Sequence, residues 1–305
     1  MESVENSRLT AGLNQSRRIV LQTRGKTSGP ITRLVSPSDV GQLIKPFVFL
    51  DYVELDSSPL PELPLHPHSG IATLTTLLQG SLHIQDSKGL PKSIDCDGIE
   101  WMQAGRGVWH GGPVSSTGSV KLYQLWVALP PELELSDSFE MFLRPEDIPT
   151  NGPAHVLLGS LNGKESPIGD SLHMTYLHVR LGAGEHWRYN PPRGHDVLWI
   201  SVYSGSLDAG EHVSEGDLIV FEQSKRGVDF VARESCGFVL GSAMQSPFDL
   251  AEGCYSVHTN AAALESGEQE IARLGAQMCA DGRLSPERAA QVVRQMTAVV
   301  PSVAR

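Results

Sequence analysis

The stretch from His66 to His110 holds three histidines at spacings that a small β-barrel can bring to one point. Two of them flank a single residue in His66-Pro67-His68. Side chains of an extended strand leave the sheet on alternate faces, so both imidazoles project together while Pro67 points away. The third, His110, closes the run Ala104-Gly105-Arg106-Gly107-Val108-Trp109-His110, whose small residues let the backbone turn sharply and return a histidine toward the first pair. Neutral imidazole is a common ligand for iron, nickel, copper and zinc, and three on one face leave coordination positions open for a substrate. One transition-metal ion on His66, His68 and His110 is the expectation, set against the alternative of three satisfied core histidines.

Around that motif the assignments are weaker. Trp101, Met102 and Trp109 are expected to line an apolar pocket for an aromatic substrate, although large residues inside a barrel also serve simply as filling. Glu100 is the one acidic residue close in sequence to the second motif, and the pattern Glu100-Trp101-Met102-Gln103 does not say which face it takes. Asp51 is expected to hold the turn before the first motif, and Arg106 to hydrogen-bond within its loop. His186 and His195 read as surface or hydrogen-bonded histidines, with a vestigial metal pair as the alternative. His83, His155, His173, His178, His212 and His258 are read as isolated, because function needs convergence of groups. No catalytic residue is assigned.

The elements that must position these residues are short strands bounded by Gly, Pro, Asp or Ser: Pro46 to Val53, Ile71 to Leu78, Ser81 to Gln85, Glu100 to Gln103 and Lys121 to Leu129. A second series starts near Val156 and runs to Ala243. Between them, Pro130-Pro131, Pro145 and Pro149 surround an acidic stretch that reads as a crossover. The fold class is therefore all-β, two barrels in tandem. The expected divisions are an N-terminal arm at 1–30, a metal-bearing barrel at 31–130, a linker at 131–152, a barrel without a metal motif at 153–262 and a helical tail at 263–305. In that tail Glu268 to Ala280 suits one helix and Ser285-Pro286-Glu287 starts another. Ala289, Val292, Val293, Met296, Val299 and Val300 give the second helix an apolar stripe, expected to dock on the protein's own barrels.

Composition limits the partners. The 305 residues carry a net charge of −11, and no basic cluster exceeds Arg17-Arg18, which argues against direct nucleic-acid binding. Met1 to Arg18 has no apolar core, and no long apolar run occurs, so neither a secretory signal nor a membrane span is expected and the cytoplasm is the default compartment. Cys96, Cys236, Cys254 and Cys279 are scattered and are read as reduced. A monomer is expected.

The motifs "PFVFLDYVEL" (Pro46 to Leu55), "HPHSGIATLTTLLQGSLHIQDSKG" (His66 to Gly89) and "DGIEWMQAGRGVWHGG" (Asp97 to Gly112) make the chain resemble the pirin family, a branch of the two-domain cupins. The resemblance continues more weakly from Leu172 to Leu207 and fades after about Gly267. It implies two tandem cupin-type barrels of the double-stranded β-helix or jelly-roll kind, with the helices as an extension. Pirins typically carry a glutamate two residues after the third histidine, completing a site for Fe²⁺; here that position is Gly112. The glutamate that cupins more generally place four residues after the second histidine is Ala72. The resemblance implies two functions. One is a regulatory protein whose partner is a transcription regulator or metabolic enzyme, favoured by the absent carboxylates. The alternative is a metal-dependent dioxygenase of the quercetin 2,3-dioxygenase type, acting on an aromatic diol or enol. Fe²⁺ is the expected metal, with nickel, copper or zinc as substitutes.

Overall fold

Short runs in which β-branched and aromatic residues alternate with polar ones favour pleated, half-buried strands. In the computed structural model, which describes residues 16–55, 63–169 and 172–298, they form mainly antiparallel sheets, with a helical pair near the C-terminus. The class is all-β and cupin-like. Residues 1–15 of the expected arm, and Val299 and Val300 of the apolar stripe, lie outside the described residues. Among the described residues, no helix is long and apolar enough to cross a membrane.

The chain separates into two compact units, one from 25–148 and 246–305, the other from 1–24 and 149–245. This division differs from the sequence-based one at both ends. Ile19–Thr23 pairs with Leu218–Phe221 in the second unit. Residues 246–262, expected in the second barrel, belong to the first, where Ser256 bridges Ser69 and His258 reaches Glu134.

In the first unit an antiparallel sheet runs in the order Phe139–Leu143, Ile99–Gln103, Ile71–Gln85, Ser115–Ala128, Phe47–Leu55, Ile31–Val35, Lys26–Ser28. Ile71–Gln85 is buried on both faces through Leu78 and then alternates with solvent, as a strand does on leaving a core. A separate ribbon pairs Leu63–His68 with Val108–Gly112.

Two helices, Ala261–Ala280 and Pro286–Ala298, complete this unit. The first begins seven residues earlier than the periodicity suggested, because the Asn260 side chain accepts from the Ala263 amide at 2.9 Å and caps it. Ser285 caps the second by accepting from the Arg288 amide at 3.1 Å. Ile271, Val292 and Met296 of the helices, with Leu284 of their connection, pack with Trp109, so the pair docks on its own barrel.

The second unit has a sheet ordered Ile19–Thr23, Leu218–Phe221, Val197–Ser204, Cys236–Ala243, Met174–Leu181, Ala154–Leu158, Thr150–Asn151, and a smaller sheet of His186–Tyr189, Val228–Ala232, Ser206–Asp208 and His212–Ser214. Leu177, Ile200, Phe221, Phe230 and Phe238 pack in its core. His186 lies exposed beside Asp229 at 3.1 Å, and buried His195 contacts Ser242 at 3.1 Å.

Candidate metal centre

Antiparallel register brings the histidines together. In the ribbon His66 stands directly opposite His110, and His68, two residues on, shares the face of His66. Ring centroids are 4.4 Å apart for His66 and His110, 5.0 Å for His66 and His68, and 5.2 Å for His68 and His110. One ligand nitrogen from each lies within 4.8 Å of the others.

The electrostatics suit a cation. Burial, followed by the proximity of His66, lowers His68 to about 3, and burial followed by His66 and His68 holds His110 well below its ordinary value. His66 is also lowered, chiefly by burial. All three are therefore neutral at pH 7, with lone pairs available and no proton to displace. His66 Nδ1 lies 2.9 Å from the Pro64 carbonyl and His68 Nδ1 lies 2.9 Å from the Tyr255 carbonyl. Each Nδ1 then carries the hydrogen and each Nε2 is left as the donor to a metal. His110 Nε2 is buried with no hydrogen-bond partner, a costly arrangement that a metal ion would resolve. The cluster has the donor set of a transition-metal site.

Behind His68 lies a buried polar clamp that sequence spacing did not reveal. Ser69 Oγ donates to Ser256 Oγ at 2.8 Å and lies 3.0 Å from His258 Nε2, while His258 Nδ1 lies 3.0 Å from Glu134 Oε2. Glu134 also accepts from the Thr259 amide and hydroxyl, at 2.8 and 2.6 Å. The order serine, histidine, carboxylate matches a hydrolytic triad, but Ser69 and His258 are 0 % and 1 % exposed, so no substrate reaches them. Gly70 permits the approach: at φ +74° a Cβ there would lie 2.2 Å from the Val257 carbonyl oxygen. The clamp fixes the strand that carries His68. His258, read as isolated, is thus part of the site's support.

The histidines open onto a cavity of about 430 Å³ with a mainly apolar wall that includes Phe49, Val53, Leu122 and Trp126. Phe49 and Trp126 stack at 4.1 Å, and Trp126 meets His68 edge-on at 4.8 Å. None of the three expected pocket residues lines the cavity. Trp101 points to the sheet face opposite Glu100, Met102 packs with Val48, Ile71 and Val108, and Trp109 packs on the C-terminal helices and donates from Nε1 to the Ile271 carbonyl at 2.9 Å. Strand alternation turns Trp101 from the face of Glu100 and Trp109 from that of His110, while Met102, on the face of Glu100, is taken up by its core cluster.

The wall instead carries a polar rung, one residue per strand. Glu100 pairs with Thr75, Thr75 with Gln124, Gln124 with Asp51, and Asp51 with Arg33. The Thr75 hydroxyl lies 2.9 Å from Gln124 Oε1 and 3.2 Å from Glu100 Oε2. Arg33 donates twice to Asp51 and lies over the Phe49 ring at 3.8 Å. Asp51 therefore sits mid-strand as a cavity residue rather than at a turn. Its carboxyl is raised by burial, against the opposing pull of Arg33. Glu100, 7 % exposed, is raised to about 7 by burial and then by the nearby charge of Glu140. Arg106 forms an exposed ion pair with Asp137 at 3.3 Å.

A cupin-like fold bearing a three-histidine centre in its first unit defines a metal-binding bicupin. The pirin family model matches residues 30–127. A Vibrio cholerae protein named provisionally as a quercetin 2,3-dioxygenase is 31% identical over 67% of this chain and 76% of its own length. A Caulobacter vibrioides pirin-like protein is 31% identical over 58% of this chain and 67% of its own. In structure, a quercetin 2,3-dioxygenase from Acinetobacter baumannii matches with a TM-score of 0.70 and 22% identity, over 85% of this chain and 95% of its own. The Escherichia coli bacterial pirin YhhW in complex with nickel(II) matches at TM-score 0.59 and 17% identity, over 76% and 99%. The chain belongs to the pirin family.

Proposed function

We propose that His66, His68 and His110 hold one divalent first-row metal, Fe²⁺ foremost, and that the cavity beside them takes an aromatic diol or enol for dioxygenase-type chemistry. The observation that carries this reading is the cavity itself, about 430 Å³ of mainly apolar space onto which the three imidazoles open. A bound metal would supply Lewis acidity toward a chelating ligand oxygen and a route for electrons. The histidines hold the ion without charge, which leaves its positive charge to favour an anionic oxygen. The stacked Phe49 and Trp126 rings offer a flat apolar wall, and the rung from Glu100 to Asp51 offers hydrogen bonds to hydroxyl groups. The names of the Vibrio and Acinetobacter relatives agree with this reading.

Metal analysis comes first. Purified protein is expected to take up one ion per chain, and His66→Ala and His110→Ala to lose it. Quercetin should then bind the loaded protein and support oxygen uptake. No uptake from added Fe²⁺, Ni²⁺, Cu²⁺ or Zn²⁺ would remove the metal site. Metal uptake without ligand binding would leave the regulatory reading, in which the same site serves a protein partner.

A further inference from the structure

With Gly112 in the place of a glutamate, the described residues of the ribbon bring no carboxylate to the cavity, yet one enters from the main sheet. We propose that Glu100 is the proton acceptor of this cavity, taking the proton from a hydroxyl of a ligand laid along the polar rung. The proposal rests on the small-molecule reading of the site above.

Geometry supports it in three ways. Glu100 lines the same cavity as the histidines, on a strand that supplies none of them. Its register partner Thr75 lies two residues along its strand from Thr73, which pairs with Trp126 beside His68, so roughly 7 Å of strand separates the carboxyl's rung from the rung nearest the metal ligands. That span suits a ligand that meets both ends of the cavity.

The third argument is proton counting. Thr75 has a single hydroxyl hydrogen but two oxygen neighbours, Gln124 Oε1 at 2.9 Å and Glu100 Oε2 at 3.2 Å. If that hydrogen goes to the nearer oxygen, the contact with Glu100 needs a hydrogen on the carboxyl. If Glu100 is ionised, Thr75 turns toward it and frees Gln124 Oε1 for a ligand. The rung thus accommodates both protonation states of Glu100 by rotating one hydroxyl. Glu140, on the neighbouring strand, and Asp51, tied to Arg33 at the far end of the rung, are the other carboxylates around it. Burial, and after it the charge of Glu140, raises Glu100 to near neutrality, where a general base works best.

In the step proposed, the ligand O–H bond breaks, the proton passes to a Glu100 oxygen and the electron pair stays on the ligand oxygen, which becomes an anion. Nothing else is consumed.

The test uses full-length protein loaded with redox-inert Zn²⁺, titrated with quercetin just above neutral pH and followed by the absorbance change that marks flavonol ionisation. Wild type is expected to bind the ionised ligand. Glu100→Gln should bind within a few-fold of wild type but show a roughly tenfold smaller ionised fraction, as expected if losing the acceptor raises the bound hydroxyl by about one pKa unit, and Glu100→Asp should recover part of it. Difference infrared spectra of wild type should show a carboxylate becoming a carboxylic acid as ligand binds, a readout independent of how the variants fold. Ionisation equal in wild type and Glu100→Gln, with no infrared change, overturns the role of Glu100 alone. Absence of binding in wild type overturns both it and the small-molecule reading.

Discussion

At the scale of single residues, Glu100 and Gly112 carry opposite lessons. Glu100 is held near pH 7 in the fold against an ordinary value of 4.5. Between those values the folded protein keeps a proton that the unfolded chain releases, so this group lowers stability as pH rises through the window. Metal-free Glu100→Gln should lack that slope and gain up to about 3 kcal/mol on wild type above neutrality, at 1.36 kcal/mol per pH unit; urea melts across pH would measure it. Gly112 has φ +122°, and Gly111 beside it φ +114°. A glutamate at 112 would restore the carboxylate of the pirin pattern. The backbone there is one that side chains rarely adopt, so Gly112→Glu should cost about 1–3 kcal/mol in stability and improve metal affinity less than tenfold. Thermal melts and chelator competition would show whether an added ligand outweighs the strain. The three histidines were legible because their cue is local, a two-residue spacing and a glycine-rich return. Glu100 was not, because its facing depends on the register between Ile99–Gln103 and Ile71–Gln85.

Among the elements, the segment Tyr255 to Thr259 is the one whose importance the sequence concealed. Its partners, His68, Ser69 and Glu134, lie 121 or more residues away, and no short motif joins groups so far apart. Supporting groups behind a metal ligand typically control affinity ten- to hundredfold. Glu134→Gln should therefore weaken metal binding by about tenfold, while costing about 1.5–3 kcal/mol through lost hydrogen bonds to a charged acceptor. Metal affinity unchanged in a destabilised variant would confine the clamp to a structural role. The helical pair was legible in outline from its apolar stripe and its Ser285-Pro286 start, but the Asn260 cap was missed. Trp109, expected in the pocket, anchors these helices. Trp109→Ala should cost about 3–5 kcal/mol and leave ligand specificity unchanged, measurable by denaturation beside quercetin titration.

For the molecule as a whole, strand patterning gave the all-β class directly, whereas long-range pairing decided which strands belong together. The acid side of its stability follows from the three depressed imidazoles. Metal-free protein should lose stability as pH falls below 6.5 toward the value of about 3 at His68, because the unfolded chain takes up protons that the buried histidines refuse. That loss runs against the gain from Glu100 where the two windows overlap. Metal should add stability at neutral pH, about 2.7 kcal/mol at a hundredfold excess over Kd, and the increment should shrink on acidification. Calorimetry of loaded and stripped protein across pH would record both slopes.

The first unit is assembled from two separate stretches, 25–148 and 246–305, with the second unit's 149–245 between them in sequence. A ribosome therefore delivers the ligand histidines long before it delivers Tyr255 and His258, which hold one of them in place. The nascent chain must store an unfinished centre while another unit is synthesised, and metal capture becomes a late event of biogenesis rather than an early one. A cell that makes this protein in metal shortage would then accumulate a folded first unit whose three imidazoles are still bare, with loading left to follow folding.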